Sequence, residues 1–312
     1  MSKANRELHV VLGAGQVGPR VAELLLERGH RVRIARRTAS PSRVPNLETV
    51  AIDVRDASAV AKVAEGASVV YSCVNPLYHE WPTMLLPMVR GIAQGSRAAG
   101  ARLVALDCLY MYGDTSFMNE ESKINPVSRK GKLRAEAGEI LLDAGAAIGR
   151  AADFFGPHTP LSLLGEHFWS RVLAGKSAQL FGEPEQLHSY SYTPDVAAGL
   201  VALGSRPTEG VWMLPVQPAE STTEVVARFA AALGKRIPIS VVSTWMLRAL
   251  GVFHPMVREM AEMTYQWKQP YVVDDRKFRA AFGFGPTAWE PAIAATIDWA
   301  RATYGKPVAR AA

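Results

Sequence analysis

The segment Leu8-His-Val-Val-Leu-Gly-Ala-Gly-Gln-Val-Gly18 decides how this chain folds. It opens with an apolar run typical of a buried strand, and glycines follow in the spacing G-x-G-x-x-G. Apolar residues then recur at helical spacing until Gly29, which is a good helix stop. A strand, a glycine-rich turn and a helix in this order predict the phosphate-binding turn of a βαβ unit.

The alternation of strand and helix patterns continues over the first 150 residues. Strand patterns occur at Leu8–Leu12, Arg31–Ala35, Thr49–Val54, Ser68–Val74, Leu103–Leu109 and Ala147–Arg150. Helix patterns between them occur at Asp56–Glu65, Thr83–Ala99 and Ser128–Ala144. Strands joined through helices predict right-handed crossovers and a parallel sheet that is covered on both faces.

The pattern changes after Arg150, where prolines and aromatic residues become more frequent. Thr193-Pro-Asp195 predicts a helix with Thr193 as its cap, and Ser221-Thr-Thr-Glu224 predicts a capping box for a helix that stops at Gly234. Further helix patterns occur at Trp245–Leu250, Val257–Trp267, Arg276–Phe282 and Trp289–Tyr304.

The predicted fold class is therefore α/β, with a doubly wound parallel sheet and a smaller, mostly helical C-terminal domain. We place the nucleotide-binding domain at residues 1–152 and the substrate domain at residues 153–312. Elements around residues 190–215 are expected to return to the first domain, so that the two interleave.

Composition excludes several classes of protein. With 312 residues, of which 48% are hydrophobic and 21% charged, the chain is neither disordered, collagen-like nor coiled-coil. No run of about 18 uncharged apolar residues occurs, so we expect no membrane span. Cys73 and Cys108 are too few for a disulfide framework, and no signal peptide precedes the first strand, so we expect a cytoplasmic protein.

The net charge of +6 raises the question of a nucleic-acid partner. Lys and Arg are scattered without a long block, so we expect no nucleic acid and look for a small anionic ligand instead. The seven histidines form no H-x-x-x-H or Cys–His motif, so no metal site is predicted.

Each glycine of the turn has a role in holding a dinucleotide. Gly13 permits the tight turn, Gly15 lets the backbone approach a pyrophosphate, and Gly18 lets helix and strand pack closely. The diphosphate would then meet N–H groups at the start of the helix.

Arg36 and Arg37 indicate which dinucleotide is bound. They follow the second strand, where an NAD-binding protein usually has Asp or Glu for the ribose 2′-hydroxyl. A guanidinium cannot accept from a hydroxyl but matches a phosphate, so we predict NADP(H) in preference to NAD(H). The alternative is two solvated arginines on a basic surface. Asp53 either accepts from the adenine amine or caps the helix at Asp56.

Four motifs resemble one family over nearly the whole chain. They are Leu109-Tyr-Met-Tyr-Gly113, Lys132-Leu-Arg-Ala-Glu136, Arg150-Ala-Ala-Asp-Phe-Phe-Gly-Pro157 and Tyr192-Thr-Pro-Asp-Val-Ala197. Together they resemble the extended, atypical short-chain dehydrogenase/reductases of the nucleotide-sugar epimerase/dehydratase type. The resemblance implies a Rossmann fold. It also implies a homodimer built on Thr83–Ala99 and Ser128–Ala144, the first carrying Met84, Leu85, Met88 and Ile92 beside Gly91, Gly95 and Ala99.

The family's active site is Ser or Thr, followed by Tyr-x-x-x-Lys. Aligned on the Lys132 motif, the lysine is kept, but Ser128 stands at the tyrosine position and Cys108 at the serine position. Ser128 could hydrogen-bond a substrate oxygen, and Cys108 is either a weak donor or a small buried apolar residue. The residues expected to contact the cofactor are Gly13, Gly15, Gln16, Val17, Gly18, Arg36, Arg37, Asp53, Val54, Val74 and Lys132.

Tyr110 is the residue we expect to replace the missing acid. It lies two residues beyond Cys108, on the same face if the backbone stays extended, and Lys132 would lower its pKa. Tyr112 is the rival, and both could simply pack in the core. The substrate candidates are Asn75, Asp153, Tyr190 and Tyr192; Asp153 either polarises a substrate group or caps a turn.

These residues predict an NADP(H)-dependent oxidoreductase acting on a carbonyl, enone or secondary alcohol of a small organic substrate. One alternative is a nucleotide-sugar-type epimerase or dehydratase with tightly bound NAD(P). The other is a catalytically silent NADP(H)-sensing protein, since two of three family catalytic positions differ.

Overall fold

The computed structural model describes residues 6–39, 41–251 and 255–305. The strands are β1 (Leu8–Leu12), β2 (Arg31–Arg36), β3 (Leu47–Ala51), β4 (Ala67–Ser72), β5 (Arg102–Asp107), β6 (Phe117–Met118), β7 (Ala147–Arg150), β8 (Asp153–Phe155), β9 (Ala178–Phe181), β10 (Leu187–His188), β11 (Tyr190–Tyr192), β12 (Gly210–Met213), β13 (Glu220–Ser221), β14 (Ile239–Val242) and β15 (Val272–Val273). The α-helices are α1 (Gly18–Glu27), α2 (Ala57–Val63), α3 (Trp81–Ala98), α4 (Arg129–Asp143), α5 (Glu166–Leu173), α6 (Thr193–Gly204), α7 (Thr222–Leu233), α8 (Thr244–Gly251), α9 (Pro255–Ala261), α10 (Arg276–Phe282) and α11 (Trp289–Tyr304). Short 3-10 helices lie at Tyr78–Glu80, Tyr110–Tyr112 and Thr264–Trp267.

A seven-stranded sheet in the order β12-β7-β5-β4-β1-β2-β3 forms the centre of the molecule. All its neighbouring strands pair in parallel. The strand order reverses beside β1, and in sheets of this kind ligands bind where that reversal opens a crevice at the carboxyl ends. The α/β doubly wound fold predicted from the sequence is confirmed.

One apolar core lies on each face of this sheet. On one face, α2, α3 and α4 bury residues such as Val60, Leu85 and Leu141 against alternate residues of the strands. On the other, α1 and α6 bury Val21 and Leu200. Strands buried on both faces read as continuous apolar runs, which is why β1 and β4 were visible in the sequence.

The C-terminal part is built around a third core that is rich in aromatic residues. Phe155, Phe168, Trp169, Phe229 and Trp289 pack there between α5, α7 and α11. Short two-stranded pairs connect these helices, while β12 returns to the main sheet beside β7. The division of the chain at residue 152 stays a prediction.

Several elements differ from the sequence prediction at their ends. β5 ends at Asp107 rather than Leu109, because the chain turns into the 3-10 helix Tyr110–Tyr112. At α6 the cap position is Tyr192, and Thr193 is the first helical residue. The capping box of α7 is confirmed: Ser221 Oγ accepts from the Glu224 N–H, and Glu224 accepts from the Ser221 N–H.

Within residues 6–39, 41–251 and 255–305, no helix is both long and apolar enough to cross a membrane.

Candidate active site

The glycine turn after β1 has the shape that a dinucleotide needs. Gly13 adopts a φ of 103°, and its N–H donates to the carbonyl of Ala35 over 2.8 Å. A Cβ at Gly18 would collide with the carbonyl oxygen of Gly13. A Cβ at Gly15, in contrast, would meet no described atom within 4 Å. Two glycines are therefore required by the fold, while Gly15 leaves open space beside the backbone.

The first turn of α1 is suited to an anion. No side chain of the described residues caps this helix, and Val17 at the cap position is buried. Pro19 has no N–H and the Arg20 N–H bonds to the Val17 carbonyl, so Gly18 is the residue of this turn whose N–H can meet an acceptor, as in other phosphate-binding turns. Gln16 is engaged otherwise: its Oε1 accepts from the N–H of Leu161 over 2.9 Å, which ties the turn to the C-terminal part. These features fit a bound dinucleotide diphosphate.

Arg36 and Arg37 are exposed at the carboxyl end of β2, and their side chains form no hydrogen bond or ion pair with another described residue. Both guanidinium groups can therefore reach a ligand. Asp53 forms an ion pair with Arg55, whose hydrogen bond lowers the pKa of that carboxyl. The cap of α2 is Asp56, so the alternative role suggested for Asp53 is wrong.

The two predicted valines lie beside this turn or behind it. Val74 follows β4, and its Cγ1 would lie 2.8 Å from a Cβ built on Gly13. Val54 is buried, and its carbonyl faces Gly91 of α3 at a distance too short for any side chain there. Val74 is thus placed to contact a cofactor, whereas Val54 supports the packing of α3.

Two cationic side chains of helix α4 point into the protein, and the predicted Lys132 is not one of them. Lys130 and Arg134 are 2% and 7% exposed, while Lys132 is exposed. Residues four apart share a helix face, and a residue midway between them points about 200° away. The structure therefore does not bring Lys132 together with Tyr110. The pair that has the Tyr-x-x-x-Lys spacing on the inner face is Lys130 and Arg134.

Arg134 is held at the carboxyl edge by acceptors from two strands. It donates to Asp107 Oδ1 over 3.2 Å and to Asn75 Oδ1 over 2.5 Å. Its guanidinium carbon also lies 4.4 Å from the ring centre of Trp81. Its Nε is buried without a described partner. Asn75, a predicted substrate contact, is therefore engaged with this arginine.

Asp107 is shared between two buried arginines. Its Oδ2 accepts from Arg150 Nε over 3.3 Å, and its Oδ1 from Arg134. Arg150 also donates to the hydroxyl of the fully buried Tyr112 over 2.6 Å. Tyr112 thus belongs to the core, and it is not the acid.

Lys130 is enclosed by two glutamates of the C-terminal part. Its Nζ donates to Glu262 Oε2 over 2.6 Å and also to Glu259 Oε2. It lies 5.3 Å from the ring centre of Tyr78. The paired Lys130 favours the charged form of Glu262, whose pKa is lowered although burial acts in the opposite direction. Lys130 is therefore a compensated ion, held where α9 meets the 3-10 helix Tyr78–Glu80.

Tyr110 lies in the middle of this group of side chains, but the reason is not the one predicted from the sequence. The 3-10 helix ends the extended alternation, so its alignment with Cys108 on one strand face is wrong. Its hydroxyl lies 2.6 Å from that of Tyr78, and its ring packs against Trp81. Burial, followed by the charge of Tyr78, raises the pKa of Tyr110 well above its usual 10.0. The predicted lowering by Lys132 is not found.

Cys108 and Ser128 have structural surroundings. Burial raises the pKa of the Cys108 thiol to about 12, so it stays protonated and is not a nucleophile at neutral pH. Ser128 is the cap of α4, where its Oγ accepts from the Gly131 N–H over 3.0 Å. Its sequence position beside a helix start is the signal that could have shown this role.

The remaining substrate candidates separate into two groups. Asp153 pairs with the buried His188 over 3.0 Å, and its charge contributes to raising the pKa values of Tyr110 and Tyr271. It therefore lies near the hydroxyl pair of Tyr78 and Tyr110, which we call the tyrosine group. Tyr190 is 2% exposed with its hydroxyl 2.7 Å from Thr222, and Tyr192 packs against Phe155. These two tyrosines belong to the core.

The site that the structure assembles is thus a buried group at the carboxyl edge, next to the glycine turn. Its members are Tyr78, Cys108, Tyr110, Lys130, Arg134 and Asp153. Sequence reasoning missed Tyr78, Lys130 and Arg134. Arg134 could have been found from the helical period of α4, since Ala137, Gly138 and Leu141 continue its face.

Solved structures with the same fold include several sugar-nucleotide enzymes. WbmH of Bordetella bronchiseptica in complex with NAD+ has a TM-score of 0.76 at 17% identity, over 96% of this chain and 99% of that one. The UDP-glucuronic acid 4-epimerase of Bacillus cereus, in complex with NAD, has a TM-score of 0.77 at 14% identity, over 95% and 99%. DesIV of Streptomyces venezuelae, a dTDP-glucose 4,6-dehydratase with NAD and TYD bound, has 0.77 at 18%, over 96% and 98%.

At these identities the likeness establishes the fold alone. No curated protein is significantly similar in sequence to this chain. The sequence model of one family, however, matches residues 9–212, which include the glycine turn, the tyrosine group and α4. Because that match spans more than half of its length, this chain belongs to the NAD-dependent epimerase/dehydratase family.

Proposed function

We propose that this chain is an NADP(H)-dependent oxidoreductase that reduces a carbonyl or enone group of a small organic substrate to an alcohol or a saturated carbonyl. The observation that carries the proposal is the hydroxyl pair of Tyr110 and Tyr78, 2.6 Å apart, at the carboxyl edge of the sheet, where folds of this kind bind their ligands. The exposed Arg36 and Arg37 support NADP(H) as the cofactor.

The acidity of this pair fits the proton step of a reduction. Burial raises the pKa of Tyr78 to about 12 and that of Tyr110 well above 10.0. Both phenols are therefore protonated at neutral pH, the form that gives a proton to the alkoxide left by hydride transfer. The same pair would take the proton back in the reverse reaction, so the direction is set by the supply of NADPH and substrate.

The cations of α4 complete the proposed site. Bound NADPH would supply the hydride. Arg134, with its unpartnered Nε, is suited to the hydroxyls of the nicotinamide ribose. Lys130, whose Nζ lies 5.3 Å from the ring centre of Tyr78, would hold that ring in place, while Tyr110 delivers the proton to the substrate oxygen. Glu259 and Glu262 hold the Lys130 ammonium in place.

Two other functions remain as alternatives. The family match, and the similarity to a UDP-glucuronic acid 4-epimerase and a dTDP-glucose 4,6-dehydratase solved with NAD, favour an epimerase or dehydratase with tightly bound cofactor. The second is a silent NADP(H) sensor, favoured by the loss of the family's tyrosine. In that case the buried Tyr110 would serve only packing.

The test follows nicotinamide absorbance with purified protein, NADPH and a panel of ketones, aldehydes and enones. Reductase activity predicts loss of NADPH together with an equal amount of reduced product. Conversion of a UDP- or dTDP-sugar without net change in absorbance would overturn the proposal in favour of the epimerase. Tight NADPH binding without turnover on either panel would overturn it in favour of the sensor.

Lys130 and Lys132 form a matched pair of variants on one helix. Replacing Lys130 by Met is expected to lower kcat/KM about 10- to 100-fold, the value of a charged hydrogen bond, because it releases the Tyr78 ring that aligns the Tyr110 hydroxyl. Lys132→Met, which removes the same charge from the exposed face, should change it less than about 2-fold. The thermal midpoints of both variants show whether they fold. Equal losses, or a loss confined to Lys132→Met, would contradict the assignment of Lys130.

We also propose a homodimer through α3 and α4. The structure narrows the contact surface: Leu85 and Ile92 lie in the core, and Gly91 and Gly95 face α2 too closely for side chains. What stays available on α3 are the half-buried or exposed Met84, Leu86, Pro87 and Met88.

At micromolar concentration, sedimentation should therefore give twice the chain mass of 33.9 kDa. A mass that stays at one chain up to about 100 micromolar, on the scale of ordinary dimer affinities, would show that the face is not an interface.

A further inference from the structure

Three potential metal ligands meet at the edge of the sheet opposite to the glycine turn. Glu7 and His9 are two residues apart at the start of β1, so their side chains lie on the same face. His30 precedes β2, and the N–H of Arg31 bonds to the carbonyl of Glu7, which places His30 beside Glu7. One ligand atom from each of the three lies within 4.8 Å of the others.

The histidines of this group lack partners although they are buried. His9 is 4% exposed, and neither of its ring nitrogens has a hydrogen-bond partner among the described residues. Nδ1 of His30 is also buried without one, and the two ring centres lie 4.4 Å apart. Buried polar atoms are rarely left unsatisfied, since each costs about 1–3 kcal/mol. A ligand that accepts imidazole lone pairs would satisfy them.

We infer that Glu7, His9 and His30 bind a divalent transition metal of the zinc class. Two imidazoles and one carboxylate are a common zinc donor set, and a water molecule would complete the tetrahedron. Zinc–nitrogen bonds of about 2.0–2.1 Å require the three donors to approach one another by a small side-chain rotation. Nε2 of His9 already lies 3.6 Å from Glu7 Oε2.

The surroundings distinguish between classes of metal. Arg102, held by the carbonyls of Arg206 and Gly204, adds a positive charge near His9. This charge acts against every dication alike, so the donor set decides: one carboxylate and two imidazoles lack the several oxygen ligands that Mg²⁺ and Ca²⁺ need. Zn²⁺ and Co²⁺ bind imidazole nitrogen strongly, so they are the ions that this site selects.

The site is independent of the proposed reaction. The length of β1 separates it from the glycine turn, a span of about 16 Å at ~3.3 Å per residue. A bound metal would join the starts of β1 and β2, and its role would be structural. No sequence motif indicates this metal site, because its three residues are brought together by the pairing of β1 with β2 and not by their spacing along the chain.

The experiment uses untagged, chelator-treated protein and the metals alone. We expect one equivalent of Zn²⁺ per chain by calorimetry, a Co²⁺ absorption band of tetrahedral type, and no binding of Mg²⁺. His30→Ala and Glu7→Gln should weaken Zn²⁺ at least about 10-fold. The half-buried His30 carries the test, since His9→Leu alters the core. The matched control is His167→Ala, an exposed histidine bonded to Gln179.

Two results would overturn the inference. One is the absence of stoichiometric Zn²⁺ binding by the folded wild type. The other is an affinity that stays the same in His30→Ala and Glu7→Gln, or falls equally in His167→Ala, which would mark binding by surface histidines. NADPH binding is measured in parallel and should be unchanged in all variants, so the result does not depend on the proposed function.

Discussion

Replacing Tyr110 by phenylalanine is expected to lower turnover about 100- to 10,000-fold, the range for loss of a general acid, while NADPH affinity stays unchanged. The substitution removes only the hydroxyl that lies 2.6 Å from Tyr78 and keeps the ring against Trp81. Turnover is measured under saturating substrate and NADPH, and affinity from nicotinamide fluorescence. A parallel variant, Tyr112→Phe, serves as the matched control, since its hydroxyl binds Arg150 in the core.

The pH profile separates an acid from a packing residue. Since the pKa of Tyr110 is raised well above 10.0, the acid form is fully present at neutral pH. Reduction should therefore be insensitive to pH from about 6 to 9 and fall only above that. If Tyr110→Phe keeps wild-type turnover, Tyr110 is not the donor. In that event a collapse in Ser128→Ala, with a folded α4, would move the role to Ser128 or a water molecule beside it.

Replacing both Arg36 and Arg37 by glutamine is expected to weaken NADPH by about 100- to 10,000-fold and leave NADH nearly unchanged. Each charged hydrogen bond to the 2′-phosphate contributes roughly 1.5–3 kcal/mol, which is about 10- to 100-fold per arginine. The substitutions are at exposed positions at the end of β2, so we expect no loss of stability. Calorimetric titration with the two nucleotides measures the change.

Arg31→Gln provides the matched control for the cofactor prediction. Arg31 is an exposed arginine at the opposite end of the same strand, so its replacement removes one positive charge, half of what the double variant removes, without facing the cofactor. Equal affinity of the wild type for NADH and NADPH would refute the preference. A loss of NADPH binding in Arg31→Gln of the same size would show that the effect comes from net charge.

Local patterns were sufficient to predict the part of the fold that binds the cofactor. β1, the glycine turn and the box of Ser221 and Glu224 depend on residues within one turn or strand, so their chemistry is visible in the sequence. The predicted β3 began two residues and ended three residues too late, because the bounds of this strand are set by its pairing with β2, which starts at Leu47 and Val32. Such boundaries depend on a neighbouring strand.

The tyrosine group and α4 could not be predicted in the same way. The helical period of Ala137, Gly138 and Leu141 marks the inward face of the helix, but similarity to a motif selected Lys132 on the other face. Lys130 is buried because its ammonium pairs with Glu259 and Glu262, and these lie about 130 residues further along the chain. Only the folded backbone brings them together.

The hydrogen bond between the Gln16 side chain and the Leu161 backbone connects the glycine turn to the C-terminal part of the molecule. The glycine turn belongs to the nucleotide side, and the Leu161 segment precedes α5, on the side where we place the substrate. If a cofactor and a substrate each order this bond when they bind, linkage requires that each raises the affinity for the other by an equal factor, which would make them reciprocal effectors.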